Sequence, residues 1–330
     1  MTAAPPLLSV RGLTASYRTP GGTVRAVRDV SFDLAPGETL ALVGESAAGK
    51  STIGLAMLGL LPPNGEAAGD VRYRGEPLLG APLARLREVR GAEIAMIFQD
   101  AQSALTPTIS VGDQLAEVYS AHLSLSRKDA RQRALDRLRE PCADPERVAK
   151  AYPFQLSGGM AQRVMIAMAT ALRPRVIIAD EPTASLDAAV RQETLAALER
   201  LRDEQGAAVL LITHDFGVVA RLADRVAVMY AGSLVETMDV RAAFRAPRHP
   251  YTFGLLSSLP AFAEERGRLV PMPGQPPDLT ALPPGCPFLP RCAKAVLPCR
   301  AEAAPRLEAY GGDEAHSVAC FNPIAVALRD

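Results

Sequence analysis

Apolar and polar positions along the start of this chain fall into short runs separated by turn residues. Residues 7–43 read as brief strands interrupted at Pro20-Gly21-Gly22 and Pro36-Gly37, which predicts an antiparallel β layer. The run Thr39-Leu40-Ala41-Leu42-Val43 is almost wholly apolar, as expected of a strand buried on both faces. After residue 52 the period becomes helical, with Leu55 and Leu58 among the apolar positions. Residues 81–170 are helix-rich and include a charged amphipathic stretch from Arg127 to Arg139, and a further helical stretch runs from Arg163 to Leu172. Three β-like runs follow, at residues 176–179, 208–212 and 226–230. Between the first two, residues 188–205 keep a helical period and stop at Gly206, a suitable C-terminal glycine. Apolar strands alternating with helices predict an α/β fold whose mainly parallel sheet is covered on both faces, with the antiparallel layer and a helical subdomain added to it.

Composition narrows the class. A chain of 330 residues is long enough for two domains. Lys+Arg and Asp+Glu are both 36, so there is no electrostatic footprint for nucleic acid, and a polyanion is not the expected main partner. The start Met1-Thr2-Ala3-Ala4-Pro5-Pro6 lacks a basic region followed by an apolar core, and no run approaches the roughly eighteen apolar residues of a membrane span. These features predict a soluble, cytosolic chain. Five cysteines in that compartment argue against a disulfide framework. Four of the five lie between residues 286 and 320, and 14 of the 28 prolines follow Ala246. That shift predicts a domain of residues 1–246, with its helical subdomain at about 100–170, and a Pro/Cys-rich extension of residues 247–330.

The strongest chemical signal is Gly44-Glu45-Ser46-Ala47-Ala48-Gly49-Lys50-Ser51-Thr52, a complete G-x-x-x-x-G-K-[ST] loop between a predicted strand and a predicted helix. In such a loop the backbone curls so that its N–H groups face nucleotide phosphates while the helix aims its positive end at them. Lys50 would reach the β- and γ-phosphates, and the Ser51 hydroxyl would sit on Mg²⁺. Asp180 and Glu181 follow the apolar run 176–179, at the strand end where open α/β sheets place their ligands. Asp180 suits a hold on Mg²⁺, and Glu181 suits a general base for the attacking water. Ser157, Gly158 and Gly159 at the head of another helix offer a second anion site, made of a hydroxyl, bare N–H groups and a helix dipole. The separation of these two phosphate-binding devices suggests that each completes the site of another subunit. Gln99, after Ile94-Ala95-Met96-Ile97-Phe98, could contact Mg²⁺ or water, and His214, after Leu210-Leu211-Ile212-Thr213, could contact the γ-phosphate.

Over residues 7–245 the chain resembles the ATP-binding subunits of ABC transporters. There Leu156-Ser157-Gly158-Gly159-Met160 corresponds to the signature loop, while Gln99, Asp187 and His214 fall at the Q-loop, the D-loop and the switch histidine. Tyr17 corresponds to the aromatic residue that stacks on adenine. The resemblance implies two ATPase subunits paired head to tail around two ATP molecules, driving attached membrane subunits. Glu181 and His214 together imply hydrolysis in this subunit's own site. Three departures stand out: Ala47-Ala48 in the variable part of the phosphate loop, Ala161 where relatives usually carry Arg, and a looser Ala101–Pro107 coupling stretch lacking an Asn-Pro form.

The tail, with Arg248-His249-Pro250-Tyr251-Thr252 and Gly285-Cys286-Pro287-Phe288-Leu289-Pro290-Arg291-Cys292, is similar to the C-terminal extension of the oligopeptide and dipeptide importer branch. This implies an ATPase energising peptide import, with two permease subunits, a second and different ABC ATPase, and an extracytoplasmic substrate-binding protein, at the cytoplasmic face of the membrane. Importers of nickel or other small ligands share the branch. A soluble ATPase acting on nucleic acid and a redox sensor are the readings of other classes. Cys286, Cys292, Cys299 and Cys320, spaced C-x5-C-x6-C-x20-C, can supply four thiolates. A [4Fe-4S] cluster takes such a set, and some members of the branch are associated with one; structural Zn²⁺ and unliganded buried thiols are the alternatives. His249 and His316 read as exposed loop residues without a ligand role.

Overall fold

The computed structural model describes residues 5–184, 186–259 and 272–325. Residues 1–4, read above for a targeting pattern, lie outside them. In chain order the strands are β1 (Leu8–Thr19), β2 (Gly22–Leu34), β3 (Thr39–Val43), β4 (Gly65–Tyr73), β5 (Glu76–Pro77), β6 (Ile94–Ile97), β7 (Val176–Asp180), β8 (Ala208–Thr213), β9 (Arg225–Tyr230), β10 (Ser233–Asp239), β11 (Glu308–Tyr310) and β12 (Asp313–Val318). Two compact units result, one of Met1–Asp33, Thr39–Gly80 and Thr213–Asp330, the other of Leu34–Glu38 and Ala81–Ile212.

In the first unit the expected antiparallel layer forms a sheet in the order β2-β1-β4-β5, with Leu8 opposite Tyr73 and Tyr17 opposite Gly65. Strand β3, buried at every position, pairs in parallel with β9 from Leu40–Arg225 to Val43–Val228. Strand β10 then runs antiparallel to β9, and β12 and β11 continue outward in antiparallel pairing. The C-terminal segment therefore adds strands to the sheet that carries the phosphate loop.

The reading of His249 and His316 as exposed is corrected by their burial, at 2% and 8% exposure. The cause is Glu236 on β10, which is fully buried and must satisfy its carboxylate internally. Glu236 accepts the backbone N–H groups of Arg248 at 2.5 Å and His249 at 3.0 Å, and lies 2.8 Å from His316 Nε2. His249 Nδ1 in turn accepts the N–H of Tyr251 at 3.0 Å, which caps the helix Pro250–Ser257. Burial pushes the His249 imidazole down to about 4, against the pull of Glu236.

A pH dependence follows. The unfolded imidazole titrates near about 6.5, so the stability contributed by neutral His249 is complete above that value and is lost as pH falls toward about 4. Between pH 7.5 and 5 the expected loss from this group is about 2 kcal/mol. Urea unfolding of the unaltered chain and of His249→Asn checks this: the variant keeps an acceptor but does not titrate, so its acid dependence should be shallower by that amount. Equal slopes would remove His249 as the cause.

In the second unit β7 lies between β6 and β8, parallel to both, with Ala179 opposite Ile97 and Leu211. All three strands are buried along their full length, and each Val, Leu or Ile so buried is worth about 1.5–3 kcal/mol of hydrophobic stabilisation. The helices are Leu83–Val89, Ala101–Ala104, Val111–His122, Arg127–Leu138, Pro145–Lys150, Gly158–Ala169 and Ala188–Gln205. Local chemistry starts them. Ser110 Oγ accepts from Asp113 N–H at 3.3 Å and Ser126 Oγ from Asp129 N–H at 3.2 Å, each satisfying a donor that a helix start leaves open. The helix headed by Ser157, Gly158 and Gly159 forms as expected, Ser157 capping it, and it ends at Ala169, before the end of the stretch read at residues 163–172. The helix Ala188–Gln205 ends at Gly206 in a left-handed conformation, φ 64°, as its sequence predicts. Parallel pairs in both units and the antiparallel layer bear out the α/β expectation. Among the described residues no helix is long and apolar enough to cross a membrane.

Candidate nucleotide site

The loop 44–49 joins β3 to the helix Lys50–Met57. Gly49 holds φ 99°, and a Cβ there would stand 1.9 Å from the carbonyl oxygen of Ala26 and 2.9 Å from Met229 Cε. Only glycine fits that conformation and that approach. Lys50 is buried and arches back over the loop, its Nζ donating to Gly44 O at 2.8 Å and Glu45 O at 3.0 Å. Ser51 and Thr52 open the helix, and Thr52 Oγ1 accepts from Tyr17 Oη at 3.2 Å. The structure thus brings Tyr17, a half-buried residue of β1, to the loop of residues 44–52. His214 is exposed directly beyond β8, where Asp215 caps the helix Phe216–Leu222 by accepting from Gly217 and Val218 N–H at 2.8 and 3.3 Å.

Sequence reasoning missed two residues at this loop. Glu45 Oε2 and Oε1 accept from Arg291 Nη1 and Nη2 at 2.7 and 2.9 Å, and Glu45 N–H donates to Tyr251 Oη at 2.8 Å. The carboxylate of Glu45 holds the Arg291 guanidinium above its ordinary range, and burial raises the Tyr251 phenol. No local pattern signals either contact, since 246 residues separate Glu45 from Arg291.

In the second unit Asp180 closes β7 and Glu181 follows it, both buried at 5% and 9% exposure. Glu181 adopts φ 45°, an uncommon conformation for a residue with a side chain. Its N–H donates to Ile212 O at 2.8 Å and its carbonyl accepts from Ala184 N–H at 3.1 Å, so the turn that aims it is held at both ends. Ser157 Oγ accepts from Met160 N–H at 3.3 Å at the head of its helix. Gly159 packs against Val190, where a Cβ would meet Val190 Cγ2 at 2.8 Å. Val190 belongs to the helix capped by Asp187, whose Oδ1 accepts from Ala189 and Val190 N–H at 3.0 Å each. Asp187 and the signature residues are therefore neighbours.

Two glutamines that were not singled out in the sequence tie these parts together. Gln162 Nε2 donates to Pro182 O at 2.9 Å, linking the signature helix to the turn after Glu181. Gln102 Nε2 donates to Leu156 O at 3.1 Å, linking the segment after Gln99 to the residue before Ser157. Gln99 itself is exposed at the end of β6. The loose coupling stretch is fixed by Gln114, whose Nε2 donates to Thr106 O and Ile109 O at 2.9 and 2.8 Å while its Oε1 accepts from Thr106 N–H at 2.9 Å.

The four tail cysteines form no disulfide. Burial raises the thiols of Cys286 and Cys292, and that of Cys320 to about 11; the charges of neighbouring tail thiols push all three the same way. They share one neighbourhood, yet among the described residues no group of three or more His, Cys, Asp or Glu is arranged to hold a metal ion.

The family of ABC transporters matches residues 27–184, and a second family, the oligopeptide/dipeptide transporter C-terminal region, matches residues 235–299. The chain is 46% identical over 327 residues to the oligopeptide transport ATP-binding protein OppD of Mycobacterium bovis, covering 98% of this chain and 53% of that one. It thus spans about half the length of that relative. A solved dimeric post-hydrolysis state of an ATP-binding cassette bound to ADP and Pi is similar at a TM-score of 0.63 and 28% identity, over 71% of this chain and 99% of that one. OppD of Salmonella typhimurium is 43% identical over 325 residues, covering 98% of this chain and 95% of that protein. Identity at this level along nearly the whole of the Salmonella protein, tail included, decides the family: the chain belongs to the ABC transporter ATP-binding proteins, in their oligopeptide/dipeptide branch.

Proposed function

We propose that this chain is the ATP-hydrolysing subunit that energises import of di- or oligopeptides through an ABC transporter complex. The observation that carries the ATPase reading is the phosphate loop, with Gly49 pressed against Ala26 and Lys50 curled over the loop carbonyls. The peptide cargo is supported by likeness to proteins named for oligopeptide transport and by the matched C-terminal region. We take residues 1–246 as the ATP-binding domain, with its helical subdomain at about 100–170, and residues 247–330 as an extension of its sheet.

In this reading the loop N–H groups and Lys50 take the phosphates, and Tyr17 stacks on adenine. Ser51, Gln99 and Asp180 would hold Mg²⁺, which neutralises charge on the phosphate oxygens when bound. Glu181 orients the attacking water and accepts its proton, while His214 contacts the γ-phosphate. Ser157, Gly158 and Gly159 serve the nucleotide of a second ATPase subunit, with Asp187 beside them; the dimeric cassette bound to ADP and Pi supports such a pairing. The second ATPase is a different chain. Two membrane permeases and an extracytoplasmic binding protein complete the assembly at the cytoplasmic face of the membrane. A net charge of zero speaks against nucleic acid as partner. The four tail thiols are a donor set of the right kind for a [4Fe-4S] cluster or Zn²⁺. Anaerobic purification distinguishes them: absorption near ~400 nm supports the cluster, and a colourless chain with stoichiometric zinc overturns it.

Capture of the chain from gently solubilised native membranes, with analysis of what the associated binding protein retains, tests the function. Two permeases and a peptide-loaded binding protein are expected. Nickel or another small ligand would replace the cargo and keep the ATPase, whereas recovery without membrane proteins would overturn the transport reading.

A further inference from the structure

One residue of the phosphate loop is held at every one of its polar groups. The N–H of Glu45 is taken by Tyr251, its carbonyl by Lys50 and its carboxylate by Arg291. Two of these three partners come from the C-terminal segment. Arg291 is itself fixed on all sides: its Nε donates to Pro273 O at 2.9 Å, and its guanidinium carbon lies 5.8 and 5.9 Å from the ring centres of Tyr230 and Phe288. Its side chain is 3% exposed, against 27% for Glu45. The Tyr251 ring is fully buried against the same two aromatics, at 4.6 and 5.5 Å between centres. The backbone turn that presents Arg291 is closed by its own N–H to Phe288 O at 3.0 Å.

The charges give this arrangement a purpose beyond packing. A loop that collects negatively charged phosphates is a poor place for a carboxylate, which repels them at short range. A guanidinium fork bound to both carboxylate oxygens cancels that charge with fixed geometry, which a lysine ammonium cannot reproduce.

We propose that Arg291 is a positioning residue for nucleotide binding: it neutralises Glu45 and, together with Tyr251, fixes the phosphate loop from the C-terminal segment. The proposal rests on the nucleotide reading of that loop, and its test separates the two. Equilibrium binding of radiolabelled ATP is measured on the full chain and on Lys50→Ala, Arg291→Met, Arg291→Lys and the double variant Arg291→Met/Glu45→Gln, each checked for folding by thermal unfolding without nucleotide. Arg291→Met should raise the Kd about tenfold, equivalent to about 1.4 kcal/mol. At saturating ATP, turnover in the assembled transporter should stay within about twofold, because the lost interaction acts on binding. Arg291→Lys should recover only part of the affinity. The double variant should recover most of it, although it lacks the ion pair altogether, because the unbalanced carboxylate is gone. A double variant as weak as Arg291→Met, or an Arg291→Met chain that binds like the unaltered one, overturns the proposal. An unaltered chain that binds no ATP, or binds it no better than Lys50→Ala, sinks the nucleotide reading and the proposal with it.

Discussion

Glu181→Gln is expected to bind ATP within about twofold of the unaltered chain and to lose turnover by about a thousandfold, the scale at which general bases act. The expectation comes from chemistry and from backbone. Gln keeps the size of Glu and can order a water molecule, but it cannot accept a proton at neutral pH. The turn itself is secured by main-chain bonds, from Glu181 N–H to Ile212 O and from Ala184 N–H to Glu181 O, and these do not depend on the side chain. The unusual φ of 45° is tolerated equally by the two residues. Thermal unfolding of the variant without nucleotide shows whether the fold is kept, so that lost turnover can be read as loss of the carboxylate. Phosphate release by the assembled transporter and equilibrium ATP binding are the two measurements; unaltered release would remove Glu181 as the base.

Gly49→Ala should abolish measurable ATP binding and lower stability by about 3 kcal/mol or more, from backbone strain and overpacking together. Two obstacles coincide at this position. The conformation at φ 99° excludes a side chain, and the added methyl would enter the space of the Ala26 carbonyl oxygen at 1.9 Å. Met229 Cε, at 2.9 Å, can swing away, whereas Ala26 is fixed within β2. The loop must therefore move, and with it Lys50 and the loop N–H groups proposed to take phosphate. Chemical denaturation and ATP binding on the purified variant decide the matter. Wild-type affinity in Gly49→Ala would mean that the loop has a second conformation able to bind.

What the sequence made legible was local. The strands β3, β7 and β8 are nearly unbroken apolar runs, the phosphate loop is one contiguous motif, and the helix Ala188–Gln205 was legible from its period and from Gly206 at its end. The helix head at Ser157, Gly158 and Gly159 was legible from the cap and the glycines, whereas a helical period could be read only from Arg163 onward, because the glycines carry none. His249 and His316 were misjudged for a different reason: what buries them is Glu236, a carboxylate on another strand that only the fold brings near. Gln102 and Gln162 lie in stretches that the sequence pointed to, but which carbonyl each reaches is set by the fold. The cysteines show the limit of spacing, which counts donors but leaves their convergence to the folded chain.

The grip of Arg291 and Tyr251 on Glu45 also bears on how the protein is made. Synthesis runs from the N-terminus, so the loop leaves the ribosome long before its restraints, Arg291 trailing Glu45 by 246 residues. During that interval the loop has Lys50 but neither of its distant partners, and β10 waits for β12. A nascent chain can thus collapse around its apolar strands well ahead of having a secured nucleotide loop. Fragments released early from translation would carry the whole motif and still lack Arg291 and Tyr251, the residues that hold Glu45.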